Sequence, residues 1–354
     1  KIILLLFVWG QIFPQIEVVG NQITKEKLKE HITILASDSL EGREVGHPGE
    51  LMAADYMSNY FKQIGIPPYK DSTYYQEIPL EKRVLESVNV KIGGAQYEFK
   101  EDFYTYPNFS STRIRSKEII FMGYGIDTEN YSDYNTNVEG KVIMILNGEP
   151  KDKNENYLVS GSKEKSPESG WKFKLNKAKE KGAIAVFFIT ENYASNYQRV
   201  EHKIEHPGVS LSEKEEPVPF FYISKKMADD ILGKNKTEKF KKKIKTKKRP
   251  FNKLINKSVV LATKNNDSFF TGKNVLGFIE GTDPELKNEI IVITAHYDHI
   301  GIIDELIHNG ADDNATGTAA LLEIGAAFQE AKKSGYNFKR SILLFPNSAE
   351  EKGL

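Results

Sequence analysis

The sequence predicts an α/β protein whose central sheet is mostly parallel or mixed and is flanked by helices. Short β-branched runs at residues 290–293 and 342–345 are typical of strands that are buried on both faces. Between them, residues 316–329 are rich in alanine, leucine and glutamate and contain no proline. This composition predicts a helix, with Asp313 or Asn314 as its cap. The order strand, helix, strand is the repeating unit of α/β folds.

Two segments near the beginning of the chain predict further helices, at residues 24–35 and 48–64. In the second segment apolar side chains recur on one face, and Gly65 and Pro67 follow as stop signals. Both helices are expected to pack on the sheet, to which residues 274–279 add another strand.

A long insert separates those helices from the strand at residue 274. Four of its segments are strand-like and one is helical. The strand-like segments are residues 118–123, 141–147, 183–190 and 217–223, and the helical one is residues 173–181.

The composition excludes several classes of function. The 354 residues suffice for two domains, and a formal net charge of +0 argues against nucleic acid as the main partner. Cysteine is absent, which excludes disulfides, a thiol nucleophile and a thiolate zinc site. The basic stretch at residues 234–249 lacks interleaved aromatic residues apart from Phe240, and we interpret it as a solvated helix and linker.

The first residues indicate export. Lys1 and the apolar residues 2–9 resemble a signal peptide, which we assign to residues 1–18, with a buried strand as the alternative. The apolar run is far shorter than the roughly 20 residues that span a bilayer, so no stable membrane span is expected. A secreted or periplasmic location follows.

Three clusters of charged side chains follow the predicted strands or precede the predicted helix. Two adjacent carboxylates repel each other unless a positive group lies between them and their neighbours, and two of these clusters are such pairs. Because the carboxyl ends of parallel strands meet at one edge of a sheet, the clusters are expected to converge there and to bind metal, most simply two zinc ions. The clusters are His296 with Asp298, Asp312 with Asp313, and Glu350 with Glu351.

Each cluster also has a simpler explanation when it is considered alone. The aspartate pair could cap the helix, and the glutamate pair could be solvated loop charges. His296 differs from the other histidines because Asp298 follows it at the second position, and a metal-bound histidine usually donates its other ring N–H to a carboxylate. The remaining histidines, including His299, are expected to be solvated or hydrogen-bonded.

Three blocks of the sequence resemble the signature blocks of a known family. Residues 294–301 (TAHYDHIG), 309–320 (NGADDNATGTAA) and 348–354 (SAEEKGL) are similar to those of zinc-dependent aminopeptidases of the bacterial leucyl aminopeptidase type. Relatives of these enzymes include glutamate carboxypeptidase and the transferrin receptor ectodomain. Residues 35–43 (LASDSLEGR) also resemble a segment that is common in these enzymes.

The resemblance implies a role for each of four residues. His296 would bind one zinc ion, Asp312 would bridge both ions, and Glu351 would bind the other ion. Glu350 would be the general base that activates water. The implied activity is the hydrolysis of N-terminal residues from peptides with a free amino end.

Supporting residues are implied in the same way. Asp298 would hold the ring of His296, and Asp313 would lie beside the bridging carboxylate, with a cis peptide between Asp312 and Asp313. The family's two further ligands, an aspartate and a histidine, are expected downstream of Leu354, so we interpret the sequence as a fragment. Cobalt or manganese would also suit such mixed ligands.

The resemblance also suggests a domain organisation. The strings Gly-Lys-Val and Lys-Gly-Ala in the insert resemble a protease-associated domain, with a generic α/β module as the alternative. The predicted peptidase domain consists of residues 21–90 and 256–354, and the insert with its linker of residues 91–255. A related zinc hydrolase or glutaminyl cyclase on the same fold, or a catalytically silent binding homologue, is the alternative function.

Overall fold

A computed structural model describes residues 20–70 and 72–354 and confirms the α/β class. The signal peptide assigned to residues 1–18 lies outside the described residues. The chain divides into two compact units. Unit 1 comprises the described residues up to Glu81 together with Val209–Glu213 and Phe269–Leu354, and unit 2 comprises Lys82–Gly208 and Lys214–Ser268.

The described residues form helices and strands that we number in chain order. The helices are α1 Lys25–Leu35, α2 Pro48–Ile64, α3 Trp171–Glu180, α4 Tyr193–Glu205, α5 Lys225–Leu232, α6 Lys236–Lys247 and α7 Thr316–Lys333. The strands are β1 Tyr75–Ile92, β2 Ala95–Tyr97, β3 Phe103–Tyr104, β4 Thr112–Ser116, β5 Ile119–Met122, β6 Val142–Leu146, β7 Ala185–Thr190, β8 Val209–Leu211, β9 Phe220–Ser224, β10 Asn252–Ile255, β11 Val259–Val275, β12 Gly277–Ile279, β13 Ile290–His296, β14 Ile302–Ile303, β15 Leu306–Ile307 and β16 Ser341–Asn347. Single turns of tighter or wider helix lie at Asp38–Arg43, Pro167–Ser169, Ala311–Ala315 and Glu350–Lys352.

In unit 1 the predicted helices form for the expected reasons. The Thr24 hydroxyl accepts a hydrogen bond from the backbone N–H of Lys27 and so caps α1. Helix α2 begins with Pro48 and ends before Gly65, whose φ of 85° places it in the left-handed region. Both helices share one apolar core with α7 and with strand β16.

The sheet of unit 1 has the order β12, β16, β13. Strand β13 is parallel to β16, β12 is antiparallel to it, and α7 connects β13 to β16. The predicted strand, helix, strand unit is therefore confirmed. The register pairs His296 with Asn347, so β13 and β16 end at the same edge of the sheet.

The expectation that both strands are buried on two faces is wrong for β13. Ile342 and Leu344 of β16 are buried, whereas Ile291 and Val292 of β13 are 49% and 51% exposed. Strand β16 lies between two strands, but β13 pairs with β16 alone within the part of the chain that the structure describes. A β-branched sequence favours a strand, and the neighbours of that strand decide its burial.

Unit 2 contains a six-stranded sheet of order β10, β5, β6, β7, β9, β3. Strands β5, β6, β7 and β9 are parallel, and β6 and β7 are buried along their whole length. The four predicted strands and the predicted helix of the insert correspond to β5, β6, β7, β9 and α3. The basic stretch forms helix α6, as expected.

Two long strands, β1 and β11, were not predicted. The part of β1 that belongs to unit 2 pairs with β2, and the part of β11 that belongs to unit 2 pairs with β4. Apart from Val209–Glu213, residues 91–255 belong to unit 2, and the likeness of this insert to a protease-associated domain stays a prediction. Across residues 20–70 and 72–354, no helix combines the length and apolar character that crossing a membrane requires.

Candidate metal centre

The edge at which β13 and β16 end carries the predicted charged clusters. His296 is the last residue of β13, and its carbonyl accepts a hydrogen bond of 2.9 Å from the Thr318 hydroxyl of α7. Glu350 and Glu351 lie in the short turn that follows β16. Parallel pairing of the two strands therefore brings the histidine and the glutamates together.

His296 presents one ring nitrogen to two carboxylates. Its Nε2 atom lies 3.3 Å from Asp313 Oδ1 and 3.8 Å from Glu350 Oε2. The His296 side chain is only 15% exposed, whereas those of Asp313 and Glu350 are 67% and 57% exposed. A largely buried imidazole thus faces carboxylates that are open to solvent.

Asp298 lies beneath this group and is fully buried. Its two carboxylate oxygens accept the backbone N–H groups of Glu350 and Glu351, each at 3.2 Å. The His296 Nδ1 atom lies 3.2 Å from the Asp298 carbonyl and 3.8 Å from its carboxylate. Burial raises the pKa of Asp298 to about 6. The two N–H donors and the His296 ring act in the opposite direction and have the smaller effect. Asp298 therefore holds the glutamate turn as well as the histidine.

A second group of donor atoms adjoins the first. His299 Nδ1 lies 2.7 Å from Glu351 Oε1. One donor atom each from His299, Asp313 and Glu351 lies within 4.8 Å of the others. Sequence reasoning treated His299 as an ordinary histidine, although its place directly after Asp298, in the same loop as His296, could have drawn attention to it.

The structure brings Asp313, rather than Asp312, to both groups of donors. Asp312 is exposed, and its backbone carbonyl accepts a hydrogen bond from the Thr316 hydroxyl. Of the two proposed helix caps, Asn314 accepts the N–H of Gly317 at 3.0 Å. The cis peptide bond joins Asp313 to Asn314, so its expected position one residue earlier is wrong. Adjacent identical residues cannot be told apart by composition, because only the path of the backbone decides which side chain faces the site.

Tyr297, which lies between His296 and Asp298 in the chain, anchors this loop through its side chain. This side chain is fully buried, and its hydroxyl donates to Glu50 Oε1 at 2.6 Å. The same oxygen accepts the N–H of Lys273 at 3.0 Å. Burial raises the pKa of Glu50, against the hydrogen bond from Tyr297, which lowers it.

Imidazole and carboxylate donors at one sheet edge form the kind of ligand set that zinc-dependent hydrolases use. Residues 274–354, which carry all of these donors, match the model of peptidase family M28. The match supports a metallopeptidase and covers less than a quarter of the chain. It begins near the end of β11 and continues to Leu354.

Individual relatives are similar to parts of the chain. A probable glutamate carboxypeptidase from Arthroderma benhamiae is 33% identical over 81 residues, which are 23% of this chain and 10% of that protein. An aminopeptidase from Aneurinibacillus sp. strain AM-1 is 17% identical with a TM-score of 0.46, over 95% of this chain and 65% of that one. A zinc aminopeptidase from Bacillus subtilis is 15% identical with a TM-score of 0.34, over 92% of this chain and 62% of that one. The chain thus spans less than two thirds of each of these proteins.

Proposed function

We propose that the protein is a metalloaminopeptidase that removes N-terminal residues from peptides. The observation that carries the proposal is the convergence of His296, Asp313, Glu350 and Glu351 at one sheet edge, with the backbone of both glutamates held by Asp298. The match of this segment to a peptidase family supports the same reaction class.

The donors present suit zinc. Zinc is bound in proteins by histidine nitrogen and carboxylate oxygen at about 2.0 to 2.2 Å, so the donors of one ion lie a few ångströms from one another. The distance from His296 to Asp313 and the grouping of Asp313 with Glu351 within 4.8 Å fit such a site. Exposed carboxylates beside a histidine also leave room for water and substrate.

We assign the ligands by these contacts. His296 and Asp313 would hold one ion, and Asp313 and Glu351 would hold the other, so that Asp313 takes the bridging role expected of Asp312. Two bound zinc ions would lower the pKa of a water molecule towards neutrality and polarise the peptide carbonyl.

Glu350 is the general base in this proposal. Its carboxylate is open to solvent and lies near the candidate ligands, so it can take a proton from the attacking water and deliver it to the leaving amine. The Asp298 carboxylate fixes the backbone of Glu350 and thereby its distance from His296. A protonated amino end of a peptide would be attracted by the carboxylates of this edge, which favours cleavage at the N-terminus.

We also propose a secreted or periplasmic location, on the basis of the apolar residues 2–9 that follow Lys1. N-terminal sequencing of the protein from separated cell fractions tests this. An intact N-terminus in a cytoplasmic fraction would contradict it.

The two adjacent glutamates provide the test of the reaction. In the full-length protein, Glu350→Gln should retain metal and lower kcat by about 10² to 10⁴, because a general base contributes that factor. Glu351→Gln should lower the metal content instead. Metal analysis and hydrolysis of aminoacyl p-nitroanilides measure both effects, with Glu285→Gln, an exposed glutamate in unit 1, as the control.

Substrates with a blocked amino end separate the candidate activities. N-acetylated aminoacyl p-nitroanilides should not be cleaved, whereas their counterparts with a free amino group should be.

Two outcomes of the glutamate test would contradict the proposal. If Glu350→Gln lost metal and Glu351→Gln retained it, the two roles would be reversed. If neither variant slowed hydrolysis, the assignment of a peptidase site to this edge would be wrong.

A further inference from the structure

The segment that precedes α2 packs on the loops that carry the candidate ligands. It is part of the residues 35–43 whose sequence resembles peptidases and to which the proposed reaction gives no role. Glu41, Gly42 and Arg43 have φ values of 49°, 68° and 52°, all in the left-handed region. A Cβ atom on Gly42 would lie 2.5 Å from the carbonyl oxygen of His308, so glycine is required for the close approach.

Arg43 uses its side chain to join three segments of backbone. The side chain is fully buried. Its Nε donates to the Tyr297 carbonyl at 2.6 Å, and its Nη2 donates to the Gly310 carbonyl at 2.9 Å. Its Nη1 donates to the carbonyls of Leu35 and Asn309.

These carbonyls belong to the two loops that position the candidate ligands. Tyr297 lies between His296 and Asp298, and Gly310 precedes Asp313 by three residues. The backbone of the segment adds to the connection, because the N–H of His299 donates to the Arg43 carbonyl at 3.2 Å. One guanidinium therefore fixes the two loops relative to each other.

A buried cation is costly, and here neutral carbonyls satisfy it. Burial lowers the pKa of Arg43 to about 10, although the nearby charges of Asp298 and Asp313 favour its protonated form. Only the planar fork of arginine offers donors in several fixed directions, so a lysine could not replace the four bonds. Such an arrangement gives precise placement of loops at a cost in desolvation.

We propose that Arg43 is a positioning residue that sets the spacing of the two ligand-bearing loops and thereby the affinity of the site for metal. The proposal rests on the proposed metallopeptidase function. Arg43 contacts neither substrate nor metal in this role. It acts through the backbone of Tyr297, Asn309 and Gly310.

The full-length Arg43→Lys variant tests this role, because lysine retains the charge and loses the fork. We expect zinc to bind about 10 to 100 times more weakly, as is typical when a group that orients metal ligands is removed. Zinc affinity is measured by competition with a chelator, at a temperature at which circular dichroism shows every variant to be folded. The absorption spectrum of the cobalt-loaded protein provides a second measurement, which a loss of stability alone would not change.

Met57→Ala is the matched control. Met57 is a buried residue of α2 in the core of unit 1, so its truncation lowers stability without touching the guanidinium contacts. Equal zinc affinity and equal cobalt spectra for Arg43→Lys and Met57→Ala would overturn the proposal. A wild-type protein that binds no zinc would instead overturn the proposed function.

If Arg43→Lys does not fold, Asn309→Ala tests the proposed positioning role instead. The Asn309 side chain donates to the Ala36 carbonyl at 2.9 Å and to Asp38 Oδ1 at 2.7 Å, and so makes the same connection from an outer position. We expect weaker zinc binding in the same direction and by a smaller factor than for Arg43→Lys. Unchanged zinc affinity in Asn309→Ala would then count against the role of this segment.

Discussion

Strand β6 of unit 2 and strand β13 of unit 1 have similar sequences and opposite surroundings. Both are runs of β-branched and other apolar residues, Val-Ile-Met-Ile-Leu in β6 and Ile-Ile-Val-Ile in the first half of β13. Every residue of β6 is buried, between β5 and β7, whereas the first three residues of β13 are exposed. Composition therefore predicts the strand in both cases, and the number of neighbouring strands decides its burial.

The ends of these two strands differ as well. At the end of β6, the buried Lys174 amine donates to the carbonyls of Leu146 and Gly148. These hydrogen bonds hold the backbone in place. At the end of β13, the carboxylates of Asp313 and Glu350 face solvent beside a histidine. Charge that the protein itself satisfies is structural, and charge left open at a sheet edge is available for binding.

The largest expected effect separates Asp313 from Asp312 at the open edge. Asp313→Asn should lower peptide hydrolysis by at least about 100-fold and reduce the metal content, because a neutral amide is a much poorer zinc ligand. Asp312→Asn should change hydrolysis by less than about threefold, since surface substitutions away from such features have small effects. Kinetics and metal analysis of the full-length protein check both. A larger loss in Asp312→Asn than in Asp313→Asn would restore the original assignment of the bridging residue.

A smaller effect separates the two strands themselves. Ile143→Thr in β6 should cost about 2 to 4 kcal/mol of unfolding free energy, since it removes buried apolar atoms and buries a hydroxyl. Ile291→Thr in β13 should cost less than about 1 kcal/mol, because that side chain is half exposed. Urea unfolding followed by circular dichroism measures both, with the Ile143→Val and Ile291→Val pair as controls. Equal costs for the two threonine variants would mean that β13 is covered in solution.

The last prediction concerns a buried acid of unit 2 and the dependence of its effect on pH. Burial raises the pKa of Asp133 from 3.8 to about 7, although it accepts N–H groups from Tyr124 and Ile126. The folded state therefore holds a proton that the unfolded chain has lost, and this contribution to stability is present at low pH and disappears as the pH rises from about 4 to 7. In Asp133→Asn the amide oxygen can still accept the N–H groups of Tyr124 and Ile126, and the side chain remains neutral at every pH.

Urea midpoints at about pH 4.5, 5.5 and 7 test this difference. The advantage of Asp133→Asn over the wild type should increase across that series. The Asp133 charge raises the pKa of the buried Lys174, so its loss in the variant favours the neutral amine and changes the difference in the same direction as the pH rises. A constant difference between variant and wild type would show that Asp133 stays ionised in the folded protein.

Local sequence by itself determined the α/β class, the limits of α2 and the strand, helix, strand unit from β13 to β16. These features depend on side-chain periodicity and on stop signals such as Gly65, which act over a few residues. It also identified His296, Glu350 and Glu351 as members of one edge, because parallel strands end on the same side.

Tertiary structure alone decided the rest of the candidate centre. It brought Asp313 rather than Asp312 to His296, placed His299 against Glu351, and joined Arg43 to the loops that hold them. It also left β13 exposed on one side. All of these depend on contacts between residues far apart in the chain. Local composition carries no information about which of two adjacent aspartates the folded backbone directs towards the candidate site.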